Sequence, residues 1–187
     1  ALFLEIYAEK IFPFSLQSNI IGILFRSFII ISFCEELVKW LFTYVICWKD
    51  KNFNYVYDAI VYCVFISLGF ASIENLIAIL SNSGGFTLAL QRGLITVPAH
   101  AFFGIISGYY LGIAKKYEAR RWNKRKRKYI ILSLLIPIIV HGMFDSLLFL
   151  SSTASLLFAT ALIVYLYLSS ALKVVKTSSE AKKITRR

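Results

Sequence analysis

Residues 129–150 read YIILSLLIPIIVHGMFDSLLFL. This run contains no Lys, Arg or Glu, and as a helix it is long enough to cross the roughly 30 Å of bilayer hydrocarbon. Two ionisable residues interrupt it, His141 and Asp145, four residues apart and therefore on one helix face. Pro137, one turn before His141, frees the backbone carbonyl of Ser133, which loosens the helix there. The stretch thus predicts a transmembrane helix carrying a polar pair where lipid should tolerate none.

Working outward, four more apolar stretches of spanning length appear, near 20–48, 56–80, 86–114 and 153–175. The chain is 58% hydrophobic and only 17% charged, with its charge gathered between the apolar runs. A soluble domain would spread charge along every element. The expected fold is an all-α polytopic transmembrane helix bundle of about five spans, forming one membrane-embedded domain over 1–187. Residues 1–12 are apolar but carry Glu5, Glu9 and Lys10, as the end of an earlier span or an interfacial helix would. The opening ALFLE lacks the basic n-region of a signal peptide, and an upstream span is expected.

The net charge of +11 sits beside the spans: Lys49 and Lys51, the run KKYEARRWNKRKRK at 115–128, and the tail 173–187. The alternate connections, 81–85 and 151–152, have no Lys or Arg. Positive-inside reasoning therefore places the basic loop and the C-terminus in the cytoplasm of a multi-pass cell-membrane protein. The basic blocks belong to topology and anionic lipid, and no recognition motif points to nucleic acid. Cys34, Cys47 and Cys63 show no paired spacing and read as small buried hydrophobes.

Both histidines and four of the ten acidic residues fall in the interior of spans. A charge at the middle of a transmembrane helix costs about 2.5–3.5 kcal/mol on insertion scales. The set comprises Glu35, Glu36 and Lys39; Glu74 and Asn75; Arg92 and His100; His141 and Asp145. Lys39 is within helical reach of both glutamates, at i+4 and i+3. Pro98 kinks the helix before His100, and Gly104, Gly108 and Gly112 form a strip for close helix approach. Counting about 1.5 Å per residue, Glu35, Glu36, His100 and His141 lie near mid-depth, with Glu74, Arg92 and Asp145 toward the outer side. Four helices thereby share one polar band, as a hydrated cavity requires.

Glutamate with histidine can activate a water, one group taking its proton while another polarises a carbonyl. Glu35, Glu36, His100 and His141 could instead hold a divalent metal such as zinc, and metal-free water activation is equally open. No GxSxG elbow, HExxH motif or phosphate-binding glycine loop is present. An ion or proton-coupled transporter also uses intramembrane carboxylates and histidines, but the chain shows no internal repeat of discontinuous helices. A non-catalytic membrane chaperone is the other alternative.

Four segments in order carry a family resemblance: EELVK at 35–39, FASIEN at 70–75, RGLITVPAH at 92–100 and HGMFD at 141–145. They resemble the motifs of the PrsW family of bacterial intramembrane proteases, related to the CAAX-protease and bacteriocin-processing superfamily. The superfamily patterns EExxxR and FxxxH are replaced here by Lys39 and by Thr96 before His100. The resemblance implies an intramembrane endopeptidase whose partner is a membrane-anchored, anti-sigma-factor-like protein, cut first on the extracytoplasmic side. It implies catalytic roles for Glu35, Glu36, His100, His141 and Asp145. Lys39, Glu74, Asn75 and Arg92 would support them.

Overall fold

The computed structural model describes residues 1–81, 85–179 and 184. Helices account for nearly all of them: α1 (Leu2–Ile11), α2 (Ile20–Phe25), α3 (Phe33–Cys47), α4 (Val56–Ser81), α5 (Gly85–Gln91), α6 (Val97–Ala119), α7 (Asn123–Leu150) and α8 (Thr153–Ser179). No strand occurs among the described residues. Two π-helical segments join neighbours end to end: Arg26–Ser32 between α2 and α3, and Arg92–Thr96 between α5 and α6. The second lies just before Pro98, whose missing N–H leaves the Leu94 carbonyl without its usual partner. Single turns of π-helix gather at functional sites.

Among the described residues, four helical stretches are long and apolar enough to cross a membrane: Val56–Ser81, Gly85–Ala119, Asn123–Leu150 and Thr153–Ser179. The fifth expected stretch, 20–48, is instead divided into α2, a π segment and α3, and carries Arg26, Glu35, Glu36 and Lys39. The basic run at 115–128 also differs from a loop. Its first five residues complete α6, its last six open α7, and only Arg120, Arg121 and Trp122 lie between them. Glu118 braces this turn, holding Lys126 at 2.6 Å and Lys115 at 3.1 Å. The outward faces keep large apolar side chains such as Phe65, Leu80 and Leu172, as an all-α bundle in lipid requires.

The seam between α4 and α6 is built from small residues on both sides. α4 contributes Ala59, Cys63, Ser67 and Ala71 at four-residue spacing, all buried. Opposite them stand Gly104, Gly108 and Gly112, where the helix backbones touch. A Cβ on Gly108 would meet the Ala59 carbonyl oxygen and the Ile60 Cα at 2.5 Å, so there is no room for a side chain. This contact sets the height of His100 on α6 against Glu74 on α4. Gly108→Leu is therefore expected to destabilise the protein by at least about 1–3 kcal/mol. A thermal melt of purified protein checks this, and unchanged stability would contradict the seam.

Two further contacts fix α7. Ser133 accepts from Trp40 Nε1 of α3 at 2.8 Å, while its carbonyl accepts from Ser107 of α6 at 2.8 Å. The ring of Phe28, in the first π segment, lies directly on Gly142; a Cβ there would fall 2.5 Å from the ring. The π segment thus approaches α7 beside His141.

Candidate active site

The residues of the four motifs meet. Lys39 is 4% exposed, and its Nζ donates to Glu36 Oε1 at 2.6 Å and more distantly to Glu35 Oε2 at 3.4 Å. The same ammonium lies 3.0 Å from His100 Nδ1, which joins α3 to α6. With Lys39 donating, Nδ1 accepts and the other ring nitrogen carries the proton. His100 Nε2 faces Glu74 Oε2 of α4 at 3.2 Å. Glu74 Oε1 accepts from Arg92 at 2.6 Å, and Arg92 Nε also donates to Asn75 Oδ1 at 2.8 Å.

A second branch leaves Glu36. Its Oε1 is 2.9 Å from His141 Nδ1, and His141 Nε2 is 3.2 Å from Asp145 Oδ2. The two imidazole rings stand 5.4 Å apart and nearly perpendicular. Nine polar residues from α3, α4, the second π segment, α6 and α7 therefore form one connected network. Its centre is closed off: Glu35, Glu36, Lys39, His100 and His141 are all buried. Glu74, Arg92 and Asp145 keep partial exposure, so the outer-side groups are its contact with the surroundings.

The arrangement separates the two adjacent glutamates. Glu36 is committed twice, to Lys39 and to His141. Among the described residues, Glu35 has only the long contact to Lys39. Its carboxylate is also the member common to two groups of potential ligands, Glu35–Glu36–His141 and Glu35–Glu74–His100, whose donor atoms lie within 4.8 Å of one another. One oxygen of the second group, Glu74 Oε2, is buried with no hydrogen bond. Its approach to His100 is within contact distance but off the hydrogen-bonding direction.

Aromatic rings pack the network. Phe103, one turn beyond His100, stacks on His141 at 4.7 Å between centroids with an interplanar angle of 20°. Its ring is also edge-on to His100 at 5.9 Å. Phe70 covers the other side, with Lys39 Nζ 4.7 Å from its centroid and His100 at 6.1 Å. Phe70 is legible in the sequence as sharing a face with Glu74, but Phe103 sits in an apolar run that marks nothing. Glu5 of α1 also belongs to the surroundings of the site. It is half-buried and lies near enough to Glu74 and His141 to interact with both electrostatically. A short, mostly apolar opening segment offers no sign of that.

Comparison with known proteins gives the network a family. The sequence model of the PrsW family intramembrane metalloprotease matches residues 1–172. Protease PrsW of Halalkalibacterium halodurans is 42% identical over 129 residues, covering 69% of this chain and 57% of that protein. Protease PrsW of Clostridioides difficile is 33% identical over 164 residues, covering 87% and 68% respectively. Protease PrsW of Bacillus subtilis is 37% identical over 127 residues, covering 68% and 56%. The matched region thus spans between about half and two thirds of these relatives' lengths. No solved structure matches the chain. With the family's model extending from the first residue into α8 and every quoted motif in the network, this multi-pass membrane chain belongs to the PrsW family of intramembrane metalloproteases.

Proposed function

We propose that this chain is the membrane-embedded working part of an endopeptidase that hydrolyses a membrane-anchored protein. The observation that carries this reading is Glu35: a buried carboxylate, weakly paired, facing both histidine branches of a closed polar network. In the proposed reaction, Glu35 takes a proton from water, assisted by the His100–Glu74 branch, as the water oxygen attacks the carbonyl carbon. His141 Nε2–H, which faces Asp145 Oδ2 in the resting site, turns to donate to the developing oxyanion while Nδ1 stays on Glu36, with the Lys39 ammonium close by. The proton then passes to the leaving nitrogen as the C–N bond breaks, giving a carboxylate and an amine. Glu36 acts as a positioning residue that holds Lys39 and His141 in place.

The side from which a substrate arrives follows from packing. α5 and the second π segment bury none of their residues. Arg92 clasps them to α4 through Glu74 and Asn75. Displacing this loosely held stretch exposes the branch that ends on His100. A substrate helix must unwind locally there, because its carbonyls are hydrogen-bonded within the helix.

Positive-inside topology places the basic ends of α6, α7 and α8 in the cytoplasm, so Arg92, Asn75 and Asp145 lie toward the extracytoplasmic half. The reading is therefore an outer-side cut, and the family resemblance implies that it is the first cut of an anti-sigma-factor-like protein. Mass mapping of products from the reconstituted full-length protein and a single-span substrate tests it. A cut in the outer half of the span, or just beyond it, is expected; a cut only at the cytoplasmic end would overturn the assignment.

The family's description implies a metal, and the donor set fits one. Glu35, Glu74 and His100 bring two carboxylates and an imidazole together, including the Glu74 oxygen that lacks a hydrogen bond. These are ligand types that zinc accepts. A divalent cation held there supplies Lewis-acid polarisation of a carbonyl and acidifies water. Elemental analysis of purified active protein is expected to find one divalent ion per chain, and Glu74→Gln and His100→Ala to lose it. Full activity in metal-free protein would rule out that requirement.

A further inference from the structure

A second site lies at the opposite end of the bundle. Between the start of α4, the ends of α6 and α8 and the start of α7 there is a hollow of about 260 Å³. Three cations line it, Lys116, Arg120 and Lys176, together with four tyrosines that include Tyr117 and Tyr129. No acidic residue lines it among the described residues. Among the described residues, none of the three cations has a salt bridge or a hydrogen bond from its side chain. The adjacent basic residues differ: Lys115 and Lys126 both pair with Glu118. The stacking of Tyr117 on Tyr129, 5.3 Å between centroids, gives the hollow a firm wall.

Unbalanced cations with phenolic hydroxyls match a phosphate: the cations supply charge and the hydroxyls donate hydrogen bonds. The surroundings narrow the source. Lys176 also lines a second hollow of about 340 Å³ along the outside of α8, where Leu168, Leu172 and Tyr165 are joined by Ser169 and Lys173. Leu168, Leu172 and Tyr165 are well exposed on an apolar helix of spanning length. A charged recess therefore continues into an apolar furrow on the lipid side. This is the shape of an amphiphile, phosphate at the interface and acyl chain along the helix, and basic pockets between helices on this face suit anionic headgroups.

We propose that this recess binds one anionic glycerophospholipid, its phosphate held by Lys116, Arg120 and Lys176 and one acyl chain lying along α8. The site is separate from the buried network and does not depend on its chemistry. The lipid would tie the cytoplasmic ends of α6 and α8 together.

Native mass spectrometry of the full-length protein in detergent tests the proposal, with phosphatidylglycerol and phosphatidylcholine titrated in turn. Phosphatidylglycerol is expected to bind at one equivalent and phosphatidylcholine far more weakly. Changing Lys116, Arg120 and Lys176 together to Gln is expected to weaken phosphatidylglycerol binding roughly a hundredfold, at about tenfold or less per charge. Changing Lys49, Lys51 and Lys124 to Gln removes the same charge elsewhere on this face and is expected to cost less than about tenfold. Equal loss in the two triple variants would reduce the site to diffuse attraction and overturn the proposal. Equal binding of the two lipids would also overturn it, and displacement by inorganic phosphate would assign the recess to free phosphate instead. The three cations support no other described contact through hydrogen bonds or salt bridges, so the substituted protein is expected to melt at the native temperature.

Discussion

Glu35→Gln is expected to lower cleavage of a membrane-anchored substrate by about 10²–10⁴-fold, the range typical for loss of a general base. Glutamine keeps the size and much of the hydrogen-bonding capacity of the side chain but cannot take a proton. Stability should change little, because Glu35 makes only one long polar contact, 3.4 Å to Lys39. Glu36→Gln should behave differently. It weakens the 2.6 Å contact to Lys39 and the 2.9 Å contact to His141 together, so stability and activity fall together. Thermal melts and initial rates on the two variants separate a residue that reacts from one that positions. Equal losses of rate and of stability in both would remove the distinction.

Lys39→Met carries the largest expected cost in stability. Lys39 is the only lysine or arginine touching Glu35 and Glu36 among the described residues, and all three are almost fully buried. Removing the ammonium leaves Glu35 without a counter-ion, and Glu36 with His141 alone, at the centre of the bundle. Breaking a buried pair in this way costs about 3–5 kcal/mol. It also frees His100 Nδ1 from its 3.0 Å contact, so α3 and α6 lose a direct link. Methionine fills a similar volume, which keeps the effect electrostatic rather than one of cavity formation. Adding Glu35→Gln to Lys39→Met should recover part of the stability, since the uncompensated charge is removed. A double variant no more stable than the single would show that the loss came from packing.

Much of this site is legible in the amino-acid sequence, for identifiable reasons. Charges inside apolar runs are expensive enough to be conspicuous, so Glu35, Glu36, His100, His141 and Asp145 announce themselves. Helical spacing then gives the local partners: Lys39 contacts both glutamates, and His141 contacts Asp145, as i+3 and i+4 neighbours. The glycines of α6 mark the seam, because a four-residue repeat of small side chains has few other uses in a membrane.

What the sequence hides is equally physical. Contacts between helices depend on rotations that periodicity does not set, so the Lys39–His100 and Glu36–His141 links are visible only in three dimensions. Phe28 against Gly142 and Phe103 on His141 are apolar residues among apolar neighbours and carry no compositional mark. The basic run at 115–128 reads as a loop from its charge. Its residues nevertheless have good helix propensity, and at a bundle's wet end charge is no obstacle, so α6 and α7 extend into it. The division of 20–48 follows from a π-helical segment for which residue types give little warning.

The most direct test of hydrolysis by this buried network uses the full-length protein reconstituted with a single-span substrate in heavy-oxygen water. The expected result is one heavy oxygen in each newly formed C-terminal carboxylate with the unaltered protein, and almost no product with Glu35→Gln or His100→Ala. Product formed at equal rates by the unaltered protein, Glu35→Gln, Glu36→Gln and His100→Ala would contradict it.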